Sequence, residues 1–270
     1  MKRIVILTGD ELRHIFFKKF MSIQTSFNVI ASFCESTTGN ISKQVNNENN
    51  NSLRMEHLNG RQESEIDFFQ SFCDKTIDES RSNFIQRGDI NLTDNVNKII
   101  SLKPDIIISY GCSIIRSDLL QIFKGKFINI HLGLSPYYRG SGTNFWPFVE
   151  DELSLIGTTF MHIDEGIDTG GIIHQIRAEI RKGDSIHSVG NRLIQNSAKE
   201  CIKLIENFES VKNIKKLKNK SISGKLYRNK DFTEESIQQA YHNLDQKIER
   251  YLDKKNILDK ESPIINAFEV

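Results

Sequence analysis

The chain has no surplus of either charge, since 36 basic residues stand against 35 acidic ones. Such a balance supplies no overall field to draw in a polyanion, so a nucleic-acid partner gets no support from composition. No apolar run reaches the roughly 18 residues of a membrane helix, and no basic-then-apolar leader opens the chain; neither a span nor a signal peptide is expected. Cysteine is sparse and unpaired: Cys34, Cys73, Cys112 and Cys201 are scattered and read as free thiols of a reducing cytoplasm. No His/Cys cluster has metal-ligand spacing, so no metal is expected. Gly9 is not followed by Gly-x-Gly-x-x-Gly, which removes the dinucleotide fingerprint, and Ser135 lacks the flanking glycines of a nucleophile elbow.

What is present is a chain of 270 residues, long enough for one large domain or a main domain with an appendage. Lys2–Thr8 is a β-branched apolar run ending at Gly9-Asp10. Glu11–Ser22 follows with Leu12, Ile15, Phe16 and Phe20 at helical spacing, and Phe27–Phe33 is the next strand. Strand, helix, strand in this order argues for a parallel sheet covered by helices. Helical patterns recur around 64–73 and 94–102, and Pro104–Tyr110 reads as a central strand ending in the turn Gly111-Cys112-Ser113. Residues 37–53 are polar and asparagine-rich, a loop by composition and otherwise a substrate-side flap. The fold class is therefore α/β: a Rossmann-like, mostly parallel sheet with helices on both faces, plus a short C-terminal helical extension.

The chemistry concentrates in Phe127–Gly171. Asn129 and His131 stand two residues apart in the short apolar run Lys126–His131. Side chains alternate on a strand, so both point the same way, toward the crevice at the carboxyl edge of the sheet where α/β folds bind ligands. Asp168 follows about three dozen residues later, in a glycine-rich turn between the apolar runs Gly157–His162 and Gly171–Gln175. An amide donor, an imidazole and a carboxylate are the groups an acyl transfer needs: a partner for a developing oxyanion, a proton-transfer base, and a group that orients and charges the base. Each taken alone is more often structural; the combination at strand ends is the signal. His162 and His174 flank the Asp168 turn and read as packed, hydrogen-bonded rings. Trp146, the single tryptophan, reads as core at the start of a helix.

The segments Asn129-Ile-His131, Leu134-Ser-Pro-Tyr-Tyr-Arg-Gly140 and Gly166-Ile-Asp168-Thr-Gly170 together resemble the 10-formyltetrahydrofolate-dependent formyltransferase family. The resemblance is clear over 100–185 and weaker over 1–35. It departs at Leu132–Pro136, where that family more often has Pro-Ser-Leu-Leu-Pro or Gly-Ser-Leu-Leu-Pro. It implies Asn129, His131 and Asp168 as the catalytic set and 10-formyltetrahydrofolate as co-substrate. It also implies a pterin held by Cys112, Ser113 and Ile115 on one side and by Asp164, Glu165, Gly166 and Ile167 on the other. Tyr138, Arg139 and Asn144 are the candidates for the acceptor, with Arg139 either steadying the loop or facing an anion.

Beyond this region Asp184-Ser185 opens a helix with an apolar stripe from Ile186 to Phe208, which sets residues 1–209 as the catalytic domain and 210–270 as a C-terminal extension. A basic run follows, with Lys212, Lys215, Lys216, Lys218, Lys220, Lys225, Arg228 and Lys230; it reads as a solvated linker or, more sharply, as a phosphate contact to a nucleotide-linked acceptor. Thr233 is an N-cap for a helix from Glu234. Methionyl-tRNA formyltransferases generally carry a C-terminal β-barrel, whereas this tail looks helical and like that of the nucleotide-sugar N-formyltransferases. The resemblance therefore implies transfer to the amine of a dTDP- or UDP-linked amino sugar for surface polysaccharide (O-antigen), without nucleic acid or membrane. The alternatives are methionyl-tRNA or glycinamide ribonucleotide as acceptor, or hydrolysis of 10-formyltetrahydrofolate. A cytoplasmic homodimer is the ordinary expectation for such an enzyme.

Overall fold

The computed structural model describes residues 1–36, 52–212 and 224–268. The asparagine-rich stretch, apart from its last two residues, and the lysines between 213 and 223 lie outside these. Strand β1 (Lys2–Gly9) is buried on both faces from Ile4 onward, as its unbroken apolar run requires in a helix-covered sheet. It pairs in parallel with β2 (Phe27–Glu35) on one side and β4 (Ile106–Tyr110) on the other. β3 (Ser82–Ile85) extends the β2 edge, and β5 (Phe127–His131) lies beside β4, both in parallel. β7 (Gly157–Met161) and β8 (Ile172–Arg177) complete the sheet antiparallel, giving the order β3-β2-β1-β4-β5-β7-β8.

Helices cover both faces. On one, α1 (Leu12–Ser22) and the long α7 (Ile186–Glu206) bury Phe16, Phe17, Ile194, Ala198 and Leu204 against Ile4, Ile6, Ile106 and Ile128. On the other, α4 (Thr93–Leu102) and α5 (Ser117–Ile122) bury Val96, Ile99 and Leu119 against Val5, Leu7 and Ile107. α2 (Leu53–Glu65) packs beside α7 and runs through one π turn into α3 (Ser71–Lys75). α7 starts at the Ser185 cap, whose side chain and that of Ser188 exchange bonds with each other's backbone.

After the short helices α6 (Trp146–Val149) and α8 (Phe208–Val211) comes the tail. β9 (Lys225–Tyr227) pairs in parallel with β6 (Tyr138–Gly140), forming a second, two-stranded sheet. Helix α9 runs Glu234–Glu261 from the Thr233 cap. Its stripe Ile237, Ala240, Leu244, Ile248, Tyr251 is spaced for one helix face and packs into the apolar cluster that holds Phe145, Trp146, Phe148 and Leu155. Buried Asn243 donates from Nδ2 to the carbonyls of Phe148 (2.9 Å) and Val149 (2.8 Å), satisfying the orphan end of α6. The tail thus shares a core with the residues beside β6 and brings residues 226–232 to the carboxyl edge of the main sheet.

Candidate active site

At the carboxyl end of β5, Asn129 is half-buried and His131 is buried, and both face one cavity, as their alternation requires. Ser109 stands opposite Asn129 in the register of β4 and β5 and donates from Oγ to Asn129 Oδ1 at 2.8 Å. That contact commits the amide oxygen and leaves the Nδ2 hydrogens as the donors available at the cavity wall. Nδ1 of His131 is 3.3 Å from Asp168 Oδ1, and Nε2 is 3.2 Å from the carbonyl of Tyr138. The ring is therefore held at both ends, and only the edge that carries Nδ1 is shared with a carboxylate.

Asp168 sits in a left-handed backbone conformation (φ 51°), which an aspartate tolerates better than a branched side chain. Its Oδ2 accepts from the N–H of Gly140 at 2.8 Å. Gly140 itself has φ 94°, and a Cβ there would lie 2.1 Å from the carbonyl oxygen of Tyr227. Only glycine allows β9 to approach this closely while its N–H still points at Asp168. The Asp168 turn is closed by Asp164, whose Oδ1 accepts from Gly166 N at 3.0 Å and Thr169 Oγ1 at 2.6 Å.

Two cavities meet at these groups. One, of about 650 Å³, is lined by Cys112, Ser113 and Ile115 on one wall and by Asp164, Gly166 and Ile167 on the other. The second, of about 500 Å³, is lined by His131, Asn144, His57, His187 and Phe232 among others. Asn129, Asp168, Gly140 and Arg228 belong to both walls. Of the residues expected around the pterin, Glu165 alone lines neither cavity. Tyr138 is buried, with its hydroxyl on Glu152, and reaches the site through its backbone carbonyl. Arg139 lines neither cavity and its Nε is buried without a hydrogen-bond partner. Asn144 lines the second cavity while its Oδ1 accepts from Gly157 N at 3.1 Å. His162 faces the carbonyls of Phe127 (3.0 Å) and Lys212 (3.1 Å), and His174 faces Glu200, so both rings are engaged away from the triad.

Several residues of the site carry no motif. Buried Glu35, at the end of β2, accepts from Ser113 N (2.6 Å), Ser113 Oγ (2.7 Å) and Gly88 N (3.0 Å), and so shapes the turn after β4. Burial, with the Glu35 charge nearby, pushes the Cys112 thiol up to about 12, so it stays protonated and is no nucleophile. Glu35→Gln replaces one acceptor oxygen with a second donor facing N–H and O–H groups. We expect it to cost about 1–3 kcal/mol of stability in urea unfolding and to weaken tetrahydrofolate binding measured by calorimetry.

The second cavity has a charged floor. Arg13 pairs with Glu11 and with Glu65 (2.7 Å), and Arg61 pairs with Glu65 (3.1 Å) and Glu11 (3.4 Å). Burial disfavours the Glu65 charge, but the two guanidiniums outweigh it and hold its carboxyl below the ordinary range. His14 is packed against Gly9 and Gly111, and burial followed by Arg13 and Arg61 holds its imidazole neutral. His57, His187 and Tyr241 form a neighbouring group: Tyr241 Oη is 3.2 Å from His57 Nδ1 and 3.4 Å from His187 Nε2. Burial pushes His57 down to about 3 and His187 to about 4; the His187 ring adds to the first shift, and the Arg61 charge lowers both.

That depression has a sign. An imidazole whose folded pKa lies below the unfolded value of about 6.5 binds fewer protons when folded, so stability is unaffected above 6.5 and falls as pH drops below it. Between pH 6.5 and 5 the protein should lose on the order of 1 kcal/mol per pH unit for each such ring. Urea unfolding at pH 7.5, 6 and 5 measures the slope, and His57→Phe should flatten it.

The family model described as formyl transferase matches residues 2–205. The chain belongs to the formyl transferase family, whose members move a formyl group from 10-formyltetrahydrofolate. It is similar to the methionyl-tRNA formyltransferase of Desulforamulus reducens, with 31% identity over 127 residues, 46% of this chain and 39% of that protein. It is also similar to the one from Clostridioides difficile, with 31% identity over 157 residues, 55% of this chain and 50% of that protein. The chain thus spans about half or less of the length of these curated relatives. Among solved structures, a 4-N formyltransferase from Francisella tularensis matches with a TM-score of 0.54 and 21% identity, covering 86% of this chain and 78% of that one. A phosphoribosylglycinamide formyltransferase from Anaplasma phagocytophilum matches with a TM-score of 0.53 and 15% identity, covering 84% of this chain and 99% of the other. At these identities the likeness is one of fold: the mostly parallel sheet is shared.

Proposed function

We propose that this chain transfers the formyl group of 10-formyltetrahydrofolate to the primary amine of a nucleotide-linked amino sugar. The observation that carries the reading is the convergence of Asn129, His131 and Asp168 where two cavities share a wall. Folate takes the 650 Å³ cavity, with Cys112, Ser113 and Ile115 on one side of the pterin and Asp164, Gly166 and Ile167 on the other; the acceptor takes the second. The unprotonated amine attacks the formyl carbon. A bond from the amine nitrogen to carbon forms, and the carbonyl oxygen becomes negative. The Asn129 amide N–H donates to that oxygen; donors aimed where charge develops are the strongest single catalytic device. The bond from carbon to the folate nitrogen then breaks. The proton lost by the amine reaches that nitrogen by way of His131, through the Nδ1 edge shared with Asp168, because the Nε2 edge faces the Tyr138 carbonyl.

The acceptor assignment is supported by the second cavity's lining. Its His57 and His187 rings are held neutral, its walls include Phe145 and Phe232, and Arg13 and Arg61 are tied to carboxylates. A tRNA acceptor would want a basic face and salt-sensitive binding, which neither this wall nor the charge balance favours. Products of this kind serve surface polysaccharide, and the reaction belongs in the cytoplasm, with a homodimer as the working assembly; among the described residues no helix is long and apolar enough to cross a membrane. The test is calorimetric binding of dTDP, UDP and GDP beside a tRNA control, followed by formyl transfer to amino sugars of the nucleotide that binds. Micromolar binding of one nucleoside diphosphate is expected. Binding of tRNA alone, or folate consumption without any amine, would replace this reading with the tRNA acceptor or the hydrolase.

A further inference from the structure

Resting on the nucleotide-linked reading, we infer that Arg228, in the turn after β9, is the anchor for the acceptor's diphosphate and fixes which end of the acceptor meets the triad. The tail is pinned immediately before this residue. Tyr227 stacks on Trp146 with ring centroids 4.1 Å apart and planes at 8°, donates its hydroxyl to Glu150 (2.9 Å), and accepts from Ser141 N through its carbonyl (2.9 Å). Just after it, the Arg228 N–H donates to Asp231 Oδ2 at 2.7 Å, closing the short turn Asn229–Asp231. The backbone at 228 is therefore held from both sides, next to the glycine whose N–H holds Asp168. The Arg228 side chain is exposed and lines both cavities.

An inventory of cations selects it. Three guanidiniums line the acceptor cavity: Arg13, Arg61 and Arg228. The first two share two glutamates, Glu11 and Glu65, and form a closed, neutral quartet. A phosphate approaching them would have to displace a carboxylate that already occupies the fork. Arg228 has no carboxylate within ion-pair distance among the described residues. Two lysines of the basic run are paired as well, Lys212 with Glu209 and Lys225 with Glu150. The folate cavity carries two further cations, Arg87 and Lys230, so the glutamate end of the folate does not depend on Arg228.

Geometry adds the reason it stands at the junction. In a nucleotide-linked sugar only one sugar ring separates the diphosphate from the amine, so the cation that receives the phosphates must stand beside the reacting groups. Arg228 shares its walls with Asn129 and Asp168 in both cavities. A guanidinium there offers a planar fork to two phosphate oxygens, which a lysine cannot match.

The experiment measures binding of UDP, dTDP and inorganic pyrophosphate to the full chain and to Arg228→Gln and Arg228→Lys, with tetrahydrofolate titrated in parallel. Arg228→Gln should weaken the preferred nucleoside diphosphate about 10- to 100-fold, Arg228→Lys less, and tetrahydrofolate by under about twofold. Among the described residues the side chain makes no ion pair, so the melting temperature should change little. Equal nucleotide affinity in wild type and Arg228→Gln would overturn the inference alone. A selective loss of tetrahydrofolate binding would overturn it too, by assigning Arg228 to the co-substrate. Failure of the wild type to bind any nucleoside diphosphate would overturn the nucleotide-linked reading with it.

Discussion

Asp168→Asn is expected to lower kcat by about two to four orders of magnitude while leaving the fold intact, the range spanned by positioned acid–base groups. The carboxylate serves two donors with two oxygens: Gly140 N–H reaches Oδ2, and the His131 Nδ1 edge faces Oδ1 at 3.3 Å. An asparagine has one acceptor oxygen. If it keeps the Gly140 bond, its NH2 group confronts His131 Nδ1 and forces that nitrogen to accept rather than donate. The Nδ1 lone pair is then tied up by the amide, and an imidazolium formed there has lost its counter-charge. If the amide turns the other way, the β6 backbone loses the contact that seats it beside β9. Shape and volume are retained in either case, so circular dichroism and the melting temperature should stay close to wild type. A formyl-transfer assay across pH 6–9 gives the decisive reading. A rate equal to wild type would remove Asp168 from the mechanism.

The second large effect is expected at Asn129. Removal of an oxyanion donor costs about a hundredfold to a thousandfold in kcat, with KM little changed, because the bond matters only once the carbonyl oxygen has become negative. Asn129→Ala tests this, and Asn129→Asp sharpens it. The aspartate keeps the 2.8 Å contact with the Ser109 hydroxyl and so preserves the local frame, but it turns the donor into a negative oxygen facing the developing oxyanion. Asn129→Asp should therefore be the slower of the two. If steady-state kinetics show a raised KM with kcat preserved, Asn129 binds the acceptor instead of stabilising the transition state.

Much of this site could be read along the chain because its parts are local. Asn129 and His131 share a face by strand alternation alone, and the glycines around Asp168 announce a turn whatever it packs against. The strand–helix–strand start and the apolar run 104–110 likewise determine a parallel sheet, since only helices on both faces can bury strands without polar alternation. The helix caps at Ser185 and Thr233 are equally local, each a side chain bonding its own first turn.

Other parts had no local signal. Glu35 holds the turn at Ser113 across 78 residues of sequence, and His57 meets Tyr241 across 184. Nothing in the spacing of such residues marks them, because their pairing depends on which strand and helix ends the topology gathers at one edge. Arg13 and His14 were closer to view: they follow the first strand at the same carboxyl edge that identified His131, and strand-end logic extends to them. Arg228 shows the limit most plainly. The basic run around it reads as one feature, yet among the described residues Lys212 and Lys225 are paired on carboxylates while Arg228 stands at the junction of two cavities without one.

The amino-acid sequence by itself determined the sheet, its covering helices and the three groups proposed to carry the chemistry, because periodicity and turn chemistry act over a few residues. Only the tertiary structure decided the distance between His131 and Asp168, the neutral His57 and His187 rings of the second cavity and the return of the tail to the site. Those depend on burial and on charges brought together from distant segments, and a charge has no fixed meaning until its partners are in place.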